Sequence, residues 1–287
     1  MGRGHDDDGK NLCAEALIAR VSQVNDVDVP QDPSASDDER GSRKHVLDWT
    51  ARATFQGELE RQIFPVPVSI GADSIWMPRG VASPLEARLE TFGPRWIPGH
   101  PAWAELQRWW LRHPRWANTP NWDIAVGCLV ESRPGLILVE AKANWPELDT
   151  RGKSLSDDAS QGSRENHDHI GVAIDEARRG WQSIDGRIHI SRESHYQLAN
   201  RLAFTWKLAV LGFPVVLLYL GFTGDEGLRE EVGRPFIDDA DWQSAFRAYS
   251  GGVVPMELFE KRLVIGSLPV WLLSRSRAVM SVSGPRL

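Results

Sequence analysis

The sequence of 287 residues contains only two cysteines and no long apolar run. Cys13 and Cys128 lie far apart, so the chain has neither a disulfide framework nor the closely spaced cysteines of a zinc site. No apolar stretch approaches the roughly 18 residues that a membrane-spanning helix needs, and residues 1–8 lack the pattern of a signal peptide. These absences predict a cytoplasmic protein that has no membrane partner.

Negative charge is concentrated at the start of the chain. The net charge is −6, and the first 45 residues, with ten acidic and six basic side chains, contribute −4 of it. The remainder is nearly neutral and is compatible with a local basic groove, so the net charge does not exclude a nucleic-acid partner. Because residues 1–45 are rich in Asp, Ser, Gly and Pro, we predict a disordered acidic tail, followed by a single α/β domain over residues 46–287.

Two apolar runs in the middle of the chain predict a β-hairpin that is buried on both faces. Residues 124–130 and 136–139 are almost entirely apolar, and residues 132–135, Ser-Arg-Pro-Gly, predict a turn between them. A third apolar run over residues 213–221 predicts another buried strand.

Three charged side chains interrupt the open end of this hairpin. Asp123 precedes the first run, and Glu140 and Lys142 end the second. Because side chains alternate along a strand, Glu140 and Lys142 share one face, and antiparallel pairing brings Asp123 beside them. Burying such charges is costly unless they pair with one another or hold a metal. The residues alone therefore leave both a structural ion triad and a functional site open.

An Asp followed by Glu-x-Lys on the next strand resembles the PD-(D/E)xK nuclease superfamily. Asp123, Glu140 and Lys142 match its three core positions, although Asn121 and Trp122 stand before the Asp where the family pattern has Pro. The resemblance covers about residues 83–221. It implies an α/β fold with a restriction-endonuclease-like core, in which a central mixed β-sheet with flanking helices follows the order αβββαβ.

The resemblance also implies a chemistry. Asp123 and Glu140 would bind Mg²⁺ or Mn²⁺, hard cations that prefer carboxylate oxygens, and Lys142 would position or help deprotonate the attacking water. The expected function is metal-dependent hydrolysis of phosphodiester bonds in nucleic acid, with DNA as the expected substrate. The alternative is a catalytically inactive nuclease-fold domain that binds nucleic acid or a protein partner. Whether the chain is a monomer or a homodimer stays open.

Helices before the hairpin offer further acidic side chains. Ser83 and Pro84 predict the start of a helix that ends near Gly93, so that Glu86 and Glu90 share one face. By the resemblance, either carboxylate completes the metal site, and Glu105 on a second short helix is a third candidate. The alternative for each is an exposed helix charge or a partner for an arginine.

A strongly amphipathic pattern over residues 194–212 predicts a helix after the hairpin. Gln197 and Arg201 lie one turn apart on one face of it. By the resemblance they contact the site or the backbone phosphate of the substrate; an ordinary polar helix face is the alternative.

Other patterns complete the prediction. The remaining elements are helices over residues 45–64, 101–111, 170–184, 242–249 and 255–262, a long loop over 144–165, and an edge strand over 270–274. Tryptophans interleaved with arginines suggest a base-stacking surface, with Trp122 and Trp145 at the border of a groove, although most are expected to pack in the core. His167 and His169 are either metal ligands or exposed side chains at a helix start.

Overall fold

A computed structural model describes residues 41–225 and 234–279, all of which lie within the unit Glu39–Leu287. Of the predicted tail only residues 41–45 are described, and they form the first half of a helix. The rest of that prediction lies outside the described residues.

Within residues 41–225 and 234–279, seven strands form one mixed sheet. They are β1 (Val68–Ser69), β2 (Trp76–Met77), β3 (Ile124–Val130), β4 (Arg133–Lys142), β5 (Val215–Thr223), β6 (Arg262–Ile265) and β7 (Leu268–Ala278). The strand order is β1-β3-β4-β5-β7-β6, and β2 also pairs with β3.

Seven α-helices flank this sheet in the described ranges. They are α1 (Gly41–Thr50), α2 (Phe55–Gln62), α3 (Leu89–Trp96), α4 (Ala102–Trp110), α5 (Gln161–Gln182), α6 (Tyr196–Val210) and α7 (Asp239–Ser250). The helices predicted over residues 101–111, 170–184, 194–212 and 242–249 are confirmed as α4 to α7. The predicted α/β class, with a mixed sheet and flanking helices, is confirmed. None of the described helices is long and apolar enough to cross a membrane.

β3 and β4 form the predicted antiparallel hairpin, with Ile124 opposite Val139. Alternate side chains of β4 enter two apolar clusters on opposite faces of the sheet. Leu136 and Leu138 pack in the larger cluster, which includes residues of α3 to α7, whereas Ile137 and Val139 pack against α1 and α2. β4 is therefore a central strand that is covered on both faces, as a continuous apolar run predicts.

The turn of this hairpin is not where the sequence pattern placed it. The chain reverses at Glu131 and Ser132, whose φ angles of 48° and 63° suit a two-residue hairpin turn. Pro134 and Gly135 already belong to β4. A Cβ at Gly135 would lie 2.8 Å from the carbonyl oxygen of Pro214, so this glycine permits close strand approach rather than a turn.

β5 lies between β4 and β7 and runs parallel to both. Helices α5 and α6 connect β4 to β5, and β5 confirms the strand predicted over residues 213–221. The strand predicted over residues 270–274 is confirmed within β7, but β7 is not an edge strand, because β6 pairs with its outer side. The carboxyl ends of β4, β5 and β7 consequently meet at one edge of the sheet.

Three further predictions are wrong in extent. The helix expected over residues 45–64 is two helices, α1 and α2, because apolar spacing alone does not reveal the break between them. The loop expected over residues 144–165 is shorter, because the Ser160 side chain caps α5. The helix expected over residues 255–262 is a single turn, Met256–Leu258, followed by β6.

Candidate functional site

Asp123, Glu140 and Lys142 lie together at the carboxyl end of β4. Asp123 immediately precedes β3, and its Oδ2 accepts a hydrogen bond of 2.7 Å from the backbone N–H of Ala141. The Lys142 Nζ lies 2.5 Å from Oε1 of Glu140, as two positions on one face of a strand allow. Glu140 is 1% exposed and Lys142 5% exposed. The sequence pattern therefore marks a buried ion pair with a half-buried carboxylate beside it.

Arg201 of α6 joins this group from the neighbouring layer. Its Nε donates to Oε2 of Glu140 at 2.6 Å, so each Glu140 oxygen faces a cation. One terminal nitrogen donates to the backbone oxygen of Asn121 at 2.7 Å, and the other to the Asn200 side chain at 2.8 Å. The guanidinium also lies 4.5 Å from the ring centre of Trp122. These contacts join α6 to β4 and to the segment that enters β3.

The two carboxylates differ in their acidity. Burial, together with the neighbouring negative charge of Glu140, raises the pKa of Asp123 to about 7. Burial also acts to raise the pKa of Glu140, but Arg201 and Lys142 outweigh it and hold that pKa below its ordinary value. Glu140 is therefore the stably ionised member, and Asp123 is the carboxylate whose ionisation a further positive charge would favour.

The group lines an open cleft of about 720 Å³. Loops at residues 86–88, 118–121 and 146–152 and the start of α6 form its walls. Among the lining side chains are five carboxylates and four cations, which leave one net negative charge when every carboxylate is ionised. They are Glu86, Asp123, Glu140, Glu147 and Asp149 against Arg88, Lys142, Arg151 and Arg201. The lining side chains therefore carry no excess of positive charge.

The helix that should have carried Glu86 and Glu90 starts later than predicted. α3 begins at Leu89, and residues 84–88 before it are not helical. Ala87 pairs with Trp122 as an isolated antiparallel bridge, so contact with the chain entering β3 overrides the local preference of Ser83-Pro84 for a helix start. The two glutamates therefore do not share a helix face.

The predicted acidic candidates have different surroundings. Glu86 lines the cleft, where its carboxylate contacts Arg43 and the Asn121 side chain, each at 2.8 Å. Glu90 instead accepts hydrogen bonds from the backbone and hydroxyl of Thr119 and is not among the lining residues. Glu105 lies 3.6 Å from Lys207, away from the cleft. Glu86 is the one of the three that the structure brings to the cleft.

Gln197 and Arg201 both line the cleft but are used differently. Arg201 is buried and makes the three hydrogen bonds given above. Gln197, one turn earlier, is half-buried, and the described residues offer its side chain no hydrogen bond. Tyr196 lines the same wall. The amide of Gln197 is thus free to bind a ligand, whereas protein oxygens already occupy most of the Arg201 guanidinium.

The predicted aromatic border is wrong. Trp122 is fully buried beneath Arg201, and Trp145 packs with the guanidinium of Arg234 at 3.8 Å from its ring centre. Neither lines the cleft, where Tyr196 is the aromatic residue instead.

His167 and His169 lie within α5 rather than at its start. His167 contacts the backbone oxygen of Lys153 and the Arg192 side chain, and His169 the backbone oxygen of Arg108. Both imidazoles are therefore engaged in protein contacts outside the cleft, which argues against the metal-ligand alternative.

Sequence reasoning missed Asn121, Glu147 and the acidic-basic pair Asp149–Arg151. The backbone oxygen of Asn121 accepts a hydrogen bond from Arg201. Its side-chain amide donates to Glu86 and accepts from Arg88. The other three line the cleft from the loop after β4. A long polar loop beside a charged strand end is a signal for functional residues, but it does not say which of them face inward.

Asp123 and Glu140 are the carboxylates at the centre of the site; both oxygens of Glu140 face cations, and one oxygen of Asp123 accepts a backbone N–H. Throughout the described ranges, no three His, Cys, Asp or Glu side chains form a metal-binding cluster. Asp123 and Glu140 nevertheless present hard oxygen donors, and Mg²⁺ commonly takes one or two protein carboxylates and completes its shell with water and substrate oxygens. Comparisons of this chain with protein-family models, with curated proteins and with solved structures find no match.

Proposed function

We propose that this protein is a Mg²⁺- or Mn²⁺-dependent nuclease with a restriction-endonuclease-like core that hydrolyses phosphodiester bonds, with DNA as the expected substrate. The observation that carries the proposal is the meeting of Asp123, Glu140 and Lys142 at a polar cleft. Carboxylates are the side chains that bind Mg²⁺, a bound metal assists hydrolysis of a phosphodiester, and an ammonium beside them offsets phosphate charge.

The order of elements supports the proposed core. Short strands β1 and β2 precede the β3–β4 hairpin, and α6 then leads into β5, which runs parallel to β4. From the β3–β4 hairpin onward this is the order of two strands, a helical connection and a parallel strand that the resemblance implies, whereas β1 and β2 pair with β3 but precede α3 in the chain. In that arrangement Asp123 and Glu140 stand at the beginning of one strand and the end of the next.

The electrostatics of the cleft favour a divalent cation. Burial and the neighbouring Glu140 raise the pKa of Asp123, so a bound cation would favour its ionised form. With that carboxylate ionised, the lining side chains leave one net negative charge. Asp123 and Glu140 are the residues that would hold the metal. A bound Mg²⁺ would supply positive charge for the scissile phosphate and increase the acidity of a water molecule.

Other side chains of the cleft have separate tasks. Lys142 places an ammonium beside the carboxylates, where it orients a water molecule and offsets phosphate charge. Gln197 presents donors and an acceptor to the substrate from the wall formed by α6. Arg88 and Arg151 also lie on the walls. The Nε of Arg88 donates to Asn121 and Asp149 pairs with Arg151, so the remaining N–H groups of the two guanidinium groups are offered to neighbouring phosphates.

The test is cleavage of single- and double-stranded DNA and of RNA with Mg²⁺, with Mn²⁺ and with EDTA. We expect metal-dependent cleavage that is abolished in each of Asp123→Ala, Glu140→Ala and Lys142→Ala. Asp175→Ala, which removes an exposed carboxylate of α5, is the matched control and should retain full activity. Full activity in all three cleft variants, or no cleavage of any nucleic acid by the intact chain, would contradict the proposal.

A second candidate is a nuclease-fold domain that binds nucleic acid or a protein partner without cutting. The pairing of both Glu140 oxygens with cations favours it, because the charges at the centre are balanced without a metal. Calorimetric titration with Mn²⁺ separates the candidates. Binding that disappears in Asp123→Ala supports the nuclease, whereas nucleic-acid binding without any Mn²⁺ binding supports the inactive domain.

A further inference from the structure

Arg201 contacts both carboxylate-bearing segments of the hairpin. Its Nε donates to Glu140 on β4, and a terminal nitrogen donates to the backbone oxygen of Asn121, two residues before Asp123. The Asn200 side chain accepts from the other terminal nitrogen. One rigid planar group thus fixes the distance between the end of β4 and the chain that enters β3.

Burial makes these contacts restrictive. The Arg201 side chain is 7% exposed and the Glu140 side chain 1% exposed, and the indole of Trp122 covers one face of the guanidinium. Three of its five N–H groups are used by protein oxygens in fixed directions. A residue held in this way has little freedom to follow a substrate phosphate.

The two cations on Glu140 are not equivalent. Lys142 offers a single ammonium on a flexible stem and contacts Oε1, whereas Arg201 holds Oε2 through a planar group that is itself anchored at two other points. The Arg201 guanidinium is therefore held in direction by more contacts than the Lys142 ammonium is.

We propose that Arg201 is a positioning residue that aims the Glu140 carboxylate at the metal, and that it is not a contact for substrate phosphate. The inference rests on the proposed metal-dependent function and assigns Arg201 to the support of the metal ligand. Gln197, on the same helix face and without a protein partner among the described residues, is the substrate contact of the pair. Partners that orient a metal ligand typically change metal affinity by 10–100-fold when they are removed.

The experiment compares Arg201→Met with Gln197→Ala in the full chain. Mn²⁺ affinity is measured by calorimetry and by the loss of the free-ion EPR signal, and kcat and KM are measured on a DNA oligonucleotide. Arg201→Met should bind Mn²⁺ about 10-fold or more weakly and lose kcat at unchanged KM. Gln197→Ala should raise KM and leave Mn²⁺ affinity unchanged.

Arg201→Lys covers the case in which Arg201→Met does not fold. Lysine keeps the charge but cannot hold Glu140 and Asn121 together, so we expect Arg201→Lys to bind Mn²⁺ more weakly than the wild type. Where Arg201→Met also folds, the Mn²⁺ affinity of Arg201→Lys should lie between the affinities of the wild type and Arg201→Met.

Each other result overturns the inference. A folded Arg201 variant with unchanged or tighter Mn²⁺ binding and a raised KM would make Arg201 a phosphate contact. If the wild type binds no Mn²⁺, the proposed function fails together with the inference. If the wild type binds Mn²⁺ as tightly as the Arg201 variants, the inference alone fails.

Discussion

The two carboxylates of the site should have opposite effects on the stability of the metal-free protein. Both oxygens of Glu140 face cations at 2.5 and 2.6 Å, and Lys142 and Arg201 are almost fully buried. Glu140→Gln replaces one acceptor oxygen with an NH₂ group that points at a cation, which has no acceptor to offer. Breaking a buried ion pair from one side typically costs about 3–5 kcal/mol, and we expect a loss of that size.

Asp123→Asn should act in the other direction. Because the pKa of Asp123 is raised to about 7 in the folded chain, from an ordinary value of 3.8, its ionisation disfavours the folded state. Stability is therefore lost as the pH rises from about 4 to 7, and the neutral amide avoids this loss. At pH 8 we expect Asp123→Asn to exceed the wild type by about 1 kcal/mol or more.

The assay is urea unfolding at pH 8 in EDTA, followed by the fluorescence of the 13 tryptophans. An unchanged dependence on urea concentration shows that the variants unfold as the wild type does. The reasoning is refuted if Glu140→Gln is as stable as the wild type, or if Asp123→Asn loses as much stability as Glu140→Gln.

Two further predictions concern the packing around the sheet. Glu58 accepts hydrogen bonds from four side chains. Burial acts to raise the pKa of Glu58, but the hydroxyl and guanidinium groups that donate to the carboxylate outweigh burial and hold this pKa below its ordinary value. The ionised Glu58 side chain therefore stabilises the folded state above about pH 4.5, and this stabilisation is lost as the pH falls. Glu58→Gln should lower the free energy of unfolding by about 1–3 kcal/mol at pH 7. In urea unfolding, the stability of this variant should also fall less at acid pH than that of the wild type. Gly127→Ala should cost about 1–3 kcal/mol, because its Cβ would lie 2.3 Å from the Trp96 indole nitrogen. Gly162→Ala in α5 meets open space and should instead stabilise by about 0.5–1 kcal/mol, so equal thermal midpoints for the two glycine variants would contradict the packing argument.

The part of the site that the sequence predicts is local in the chain. Asp123, Glu140 and Lys142 belong to one hairpin, and strand alternation with antiparallel pairing is enough to bring them together. The contact between Arg201 and Glu140 spans 61 residues and depends on how α6 packs across the parallel β4–β5 pair. No periodicity in the sequence encodes that packing, so Arg201 was expected to face the substrate rather than Glu140.

The errors arise where local preference competes with tertiary contact. Pro134-Gly135 are typical turn residues, but β4 needs a glycine at 135 to lie close to Pro214. Ser83-Pro84 favour a helix start, yet the pairing of Ala87 with Trp122 keeps that segment out of α3. In both places the deciding partner is distant in sequence, and a single sequence does not identify it.

The charged centre of the cleft lies on a central strand, whereas loops form most of its walls. Glu140 and Lys142 stand on a strand that is hydrogen-bonded on both sides, whereas residues 86–88, 118–121 and 146–152 belong to loops. Loops tolerate substitution and insertion better than central strands do. Variation in these three segments can therefore change which molecules the cleft accepts while the charged centre stays in place. The wall loops are the natural positions for a combinatorial library that seeks altered selectivity, and β4 is the strand to leave untouched.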